Sequence, residues 1–146
     1  MQWETRSEKE TEKAGAELAS HLRPGDVIAL YGGLGMGKTA FVRGMAEGMG
    51  LSAEVSSPTF ALVHDYGGTP PLIHFDMYRV HGWEDVYATG FFDYIDQGAI
   101  LVVEWSENIE AALPPGTIRV RFEALSETER RITVTSGEEG DTDAES

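Results

Sequence analysis

An apolar run, Asp26-Val-Ile-Ala-Leu-Tyr31, passes straight into Gly32-Gly33-Leu34-Gly35-Met36-Gly37-Lys38-Thr39. Behind it, Thr39 to Met49 places Phe41, Val42, Met45 and Met49 at helical spacing, with Gly50 as the stop. A strand that enters a helix through a G-x-x-x-x-G-K-T loop leaves few architectures open. The strand is buried and parallel to its neighbours, and the loop opens at the edge of an α/β sheet. Glycines let backbone N–H groups converge on phosphate oxygens without Cβ clashes. Lys38 supplies a mobile charge for the β- and γ-phosphates, Thr39 a hydroxyl for Mg²⁺, and the helix its positive end. A chance match in a chain of this length occurs at roughly 0.5% from average residue frequencies, and the strand and helix around the loop lower that further. The expected ligand is ATP or a close relative, with Mg²⁺.

The rest of the chain fits an α/β reading. Ser7-Glu8-Lys9-Glu10 has the form of a capping box, and Ala14, Leu18 and Leu22 follow, which predicts a helix from about Ser7 to His21. Phe60–Tyr66 and Leu72–Asp76 flank Gly67-Gly68-Thr69-Pro70 and predict an antiparallel hairpin. Trp83, Phe91, Phe92 and Tyr94 fall in a stretch of short helices and read as core or interface. Ala99–Trp105 is the most apolar strand candidate, Ser106–Leu113 looks helical, and Thr117–Phe122 and Arg131–Thr135 alternate as closing strands. The expected fold is a single mixed, mostly parallel sheet flanked by helices, a P-loop NTPase arrangement with antiparallel strands at one side. Residues 1–135 form one domain. From Ser136 the tail has five acids and no large apolar residue, and its composition predicts disorder.

Charge and composition exclude several functions. Net charge is −14, from eleven Lys and Arg against twenty-five Asp and Glu, so direct gripping of nucleic acid phosphates is not expected. The chain has no cysteine, which removes disulfides, thiol nucleophiles and Cys-type zinc sites. No apolar run spans a bilayer and no signal peptide is visible, which fits a cytoplasmic protein. His21, His64, His74 and His81 have no metal-ligand spacing.

A P-loop protein also needs an acid at the end of a neighbouring strand. Asp76 and Glu104 are each the first acid after an apolar strand, where a doubly wound sheet presents its ligand crevice. Asp76 is expected to hold Mg²⁺ through water. Glu104 either completes the metal shell or orients and deprotonates the attacking water. Trp105 beside it either lines the site or touches a partner. No Asn-Lys-x-Asp loop is present to read guanine, and no arginine-rich lid or obvious arginine finger. Slow hydrolysis accelerated by a partner follows. A small-molecule kinase and a nucleotide-dependent interaction module are the alternatives.

Four motifs together resemble the TsaE (YjeE) ATPases. They are the loop from Gly32 to Gly44, Ser57-Pro58-Thr59-Phe60, His74-Phe75-Asp76-Met77-Tyr78-Arg79, and Val103-Glu104-Trp105. The resemblance runs from about Trp3 to Thr135. It implies a slow ATPase required for threonylcarbamoyladenosine (t6A) modification of tRNA, acting with a TsaB–TsaD heterodimer and meeting tRNA only through that partner. It carries phosphate and nucleotide contacts onto Gly33, Leu34, Gly35, Met36, Gly37, Lys38, Thr39 and Ala40. Thr59 would belong to a switch-like loop, and Asp76 and Glu104 would be the acids of hydrolysis. The resemblance also implies that Glu8 or Thr11 lies near the base. Gly33 and Met36 stand where the family usually has Asp and a small residue, which removes a charge beside the phosphates.

Overall fold

The computed structural model describes residues 1–32, 36–51, 63–77 and 80–136. The P-loop strand forms as expected: β2 (Val27–Tyr31) is buried through Leu30 and lies at the centre of the sheet. Its neighbours are β5 (Ile100–Glu104) and β6 (Ile118–Ala124), both parallel to it. β4 (Pro71–Asp76) adds a third parallel pair on the far side of β5.

Both faces of this centre are covered, which is why its strands read as continuous apolar runs rather than alternating ones. Ile28, Leu30, Leu72, Ile100 and Val102 pack toward one helical layer. Val27, Ile73, Phe75, Leu101 and Val103 pack toward the other.

The first layer is α1 (Glu8–Ala19) and α2 (Lys38–Gly48). α1 starts where the capping box places it, with the Ser7 side chain accepting from the Glu10 N–H at 3.1 Å. The return bond reaches one residue further back than a standard box, since Glu10 accepts from the Arg6 N–H at 2.9 Å. α1 ends two residues before His21, with Ser20 as C-cap. α2 closes in a Schellman turn: Leu51 N–H donates to the Ala46 carbonyl and Gly50 N–H to that of Glu47, with Gly50 at φ 77°. The two helices touch through glycines. A Cβ on Gly44 would strike the Glu12 carbonyl, and one on Gly15 would strike that of Phe41.

The second layer is α3 (Trp83–Ala88), α4 (Phe91–Asp96) and the segment Ser106–Ala112. That last segment is helical as expected, in 3₁₀ form and broken at Ile109. Phe91 is core, whereas Trp83 is exposed and stacks on Phe92.

Antiparallel strands are present, but at both sides of the parallel centre rather than at one. β3 (Val63–Gly68) pairs with β4 as the expected hairpin. At the opposite edge, β7 (Arg130–Thr135) pairs with β6, and β1 (Gln2–Thr5) pairs with β7, giving the order β1-β7-β6-β2-β5-β4-β3. β1 went unread in the sequence because only Trp3 and Thr5 alternate inward over four residues. Its stability comes from β7 and from Trp3 packing on Phe41 at 6.3 Å between ring centres. Among the described residues, no helix is long and apolar enough to cross a membrane.

Candidate functional site

β2 delivers the chain to Gly32, whose φ of 143° and close approach to Phe122 suit glycine alone. After the loop, Gly37 (φ 95°) starts α2 with no side-chain cap, so the first-turn N–H groups face the loop. Lys38 is only 6% exposed. Its ammonium donates to the Gly32 carbonyl at 2.7 Å and stands 5.3 Å from the centre of the Trp105 ring. Trp105 holds a left-handed backbone (φ 59°, ψ 40°), which turns the chain sharply out of β5 beside the loop. A lysine in this position is desolvated and aimed across the loop, with an aromatic face to share its charge.

A cleft of about 450 Å³ opens over the start of α2. Met36, Gly37, Lys38, Thr39 and Ala40 line it on one side, and Glu8 and Thr11 from the start of α1 on another. Thr11 is set against Gly37 and bonded to Thr5 at 2.8 Å, so β1 and α1 together carry this wall. Glu127, Thr128 and Arg130 close the far side from the turn between β6 and β7, and Arg6 joins them. Sequence reasoning missed this turn because its place follows from the β6–β7 register, which no local pattern announces. Arg130 braces the turn by donating to the Ser126 and Glu129 carbonyls at 2.8 and 2.9 Å.

The two acids come together as neighbours. Asp76 and Glu104 are paired positions at the ends of the parallel strands β4 and β5. Beyond them, Met77 N–H donates to the Glu104 carbonyl at 3.0 Å and Asn108 to the Met77 carbonyl at 2.8 Å, which fixes both strand ends. A second cleft, of about 370 Å³, is lined by Thr39, Asp76 and Glu104 with Arg43, His64 and His74. Thr39 and Glu104 belong to both clefts and form the seam between them.

Glu104 is held by His74, with Nε2 and Oε1 3.1 Å apart. Burial pushes the Glu104 carboxyl up. The His74 hydrogen bond and the charges of His74, Lys38 and His64 outweigh it and hold the carboxyl below its ordinary value. Glu104 is therefore an ionised carboxylate at neutral pH. Two carboxylates and a hydroxyl around one cleft are hard oxygen donors, and they fit Mg²⁺, which keeps several waters and takes one or two carboxylates.

A family model described as "Threonylcarbamoyl adenosine biosynthesis protein TsaE" matches residues 5–132. The chain belongs to the TsaE family. Curated TsaE relatives agree over nearly the whole domain. The protein named "tRNA threonylcarbamoyladenosine biosynthesis protein TsaE" from Treponema pallidum is 36% identical over 92% of this chain and 99% of its own length. The TsaE of Streptomyces coelicolor is 40% identical over 83% of this chain and 86% of its own. Among solved structures, the crystal structure of YdiB from Bacillus subtilis superposes with a TM-score of 0.77 at 31% identity, covering 99% of this chain and 92% of that one.

Of the residues that the sequence singled out in this TsaE-family chain, Glu8, Thr11 and Met36 to Ala40 meet in the first cleft and Asp76 in the second, with Glu104 in both. Trp105 stands at the seam through Lys38. Gly33, Leu34, Gly35, Thr59 with its Ser57-Pro58 neighbours, Arg79 and the tail beyond Ser136 lie outside the described residues. Arg43, His64 and His74 were not among the sequence candidates. His74 carried a signal all the same, two residues before Asp76 on the same face of its strand.

Proposed function

We propose that the chain is the ATP-binding and ATP-hydrolysing subunit of the t6A machinery for tRNA, turning over slowly alone and faster with a TsaB–TsaD pair in the cytoplasm. One observation carries this reading: Thr39, from the phosphate loop, and Glu104, from the end of β5, both line both clefts and form the seam between them. A nucleotide lying in the first cleft, with its phosphates over the start of α2, brings its terminal phosphate to that seam.

Each residue then has a task. Gly37 and the first turn of α2 present N–H groups to phosphate oxygens. Lys38 moves its ammonium from the Gly32 carbonyl to the β- and γ-phosphates as charge develops. The Thr39 hydroxyl and the Asp76 carboxylate would hold Mg²⁺. That ion would supply charge neutralisation for the phosphates. Glu104 accepts a proton from a water as the water oxygen bonds to the γ-phosphorus and the bond from phosphorus to the β-phosphate oxygen breaks. The net charge of −14 keeps tRNA contact with the partner rather than with this subunit.

The test is steady-state ATP turnover with a reconstituted TsaB–TsaD pair. Glu104→Gln is expected to retain nucleotide binding and lose turnover by roughly 100-fold or more. Wild-type turnover in that variant overturns the assignment of the base. Failure of the wild-type chain to respond to the pair overturns the partner.

A further inference from the structure

We propose that His74 is a positioning residue that fixes the rotation of the Glu104 carboxylate at the seam of the two clefts; this rests on the reading of Glu104 as the base. β4 alternates Leu72, His74, Asp76 on the face toward α2, and β5 alternates Ile100, Val102, Glu104 on the same face. His74 is paired in register with Val102, so it stands diagonal to Glu104. The side chains bridge that diagonal with Nε2 and Oε1 3.1 Å apart, 12% and 14% exposed respectively. An ionised carboxylate only accepts, so Nε2 carries the proton and donates it to Oε1.

The bond occupies one oxygen and leaves the other to work. His74 lines the second cleft but not the first, while Glu104 lines both. Anchoring Oε1 to His74 leaves Oε2 for the first cleft, which Glu104 lines together with Lys38 and Thr39. Without the anchor, the carboxylate rotates about its terminal torsion, which is broad and nearly free of barrier. His64 backs the anchor. It is paired with His74 in register on β3, and the two rings lie 5.5 Å apart at 31°.

The surroundings argue against a bland packing role. Leu72 and Val102, beside His74 on β4 and β5, are fully buried apolar residues. An apolar residue at 74 would serve the fold at no desolvation cost, whereas a half-buried imidazole needs a partner to be tolerated. Its partner is the one side chain shared by the two clefts that carries a carboxylate.

The experiment is a double-mutant cycle on partner-stimulated ATP turnover with His74→Leu, His74→Gln and Glu104→Gln. Gln carries a donor at the place of the imidazole Nε2 and Leu does not. His74→Leu is expected to lower kcat about tenfold or more with KM for ATP within about twofold, and His74→Gln to restore much of it. In the Glu104→Gln background, His74→Leu should have no further effect, because it acts only through that carboxylate. Wild-type kcat in His74→Leu overturns the proposal, as does a His74→Gln variant no better than His74→Leu. A full further loss on the Glu104→Gln background also overturns it, by showing an independent role. If Glu104→Gln itself keeps wild-type turnover, the reading of the base fails, and the positioning role falls with it.

Discussion

The two clefts that meet at Thr39 and Glu104 are built in different ways. The first takes its floor from Met36, Gly37 and the start of α2, where backbone groups and one lysine line it. Its walls come from the start of α1 and from a hairpin turn. The second is made of side chains projecting from β3, β4, β5 and α2, with two histidines and two carboxylates among them. A backbone site needs particular glycines in a row and so leaves a linear motif. A side-chain site needs the right strand register, which leaves single residues scattered along the chain.

The sharpest way to break this contrast is at Lys38. Lys38→Ala should lower partner-stimulated turnover by roughly 100-fold, since one donor aimed at developing charge is worth about that much. A near-normal rate would mean that phosphate chemistry does not occur over the first cleft. Gly44→Ala tests the wall behind it. The new methyl meets the Glu12 carbonyl, and the helices must part, at a cost of about 3 kcal/mol. Thermal unfolding should fall by roughly 10 °C, and nucleotide affinity should weaken because Thr11 and Glu8 ride on α1. An unchanged melting temperature would show that the helix contact is looser than it looks.

Ser7→Ala removes the α1 cap at the rim of the first cleft and should cost about 1 kcal/mol in denaturant unfolding. A loss no larger than that of Ser20→Ala would count against the cap. The smallest effect lies outside both clefts. The Tyr31 hydroxyl donates to Glu110 at 2.7 Å. Burial first, then that neighbouring carboxylate, pushes its ionisation up to about 12 from an ordinary 10. The folded state therefore favours the neutral phenol. The stability this gives is complete below pH 10 and is lost as the pH rises through about 12. Tyr31→Phe should flatten that alkaline limb while leaving ATP turnover within about twofold. A limb unchanged by the substitution would assign it to another group.

The sequence carried the parallel centre and the floor of the first cleft, because both write themselves locally. β2 and β5 are unbroken apolar runs, and the loop between Gly32 and Thr39 has no other common use. Asp76 and Glu104 were legible too, as the first acids of the apolar segments that form β4 and β5. What stayed hidden depended on pairing between distant segments. β1 has four residues and gains its stability from β7, more than a hundred residues away. The turn holding Thr128 and Arg130 reaches the first cleft only because β6 and β7 run back past the loop. His74 opened one of the four motifs but had no role of its own until the β4–β5 register put it diagonal to Glu104. The segment after Trp105 read correctly as helical, but its 3₁₀ form was not legible, because Ile109 and its neighbours keep the apolar spacing of a helix while the backbone breaks at Ile109.

The glycine contact between α1 and α2 has a mechanical consequence. With carbonyls of Glu12 and Phe41 seated where side chains would stand on Gly44 and Gly15, neither helix can roll or slide over the other without collision. They travel as a single lever, with the loop's exit at one end and the Glu8–Thr11 wall fixed to it. On the opposite bank of the first cleft, the short turn between β6 and β7 is held by a few exposed polar bonds. The two banks of the cleft are therefore held unequally: helix backbone locked against helix backbone on one side, and a turn from Leu125 to Glu129 closed by exposed polar bonds on the other.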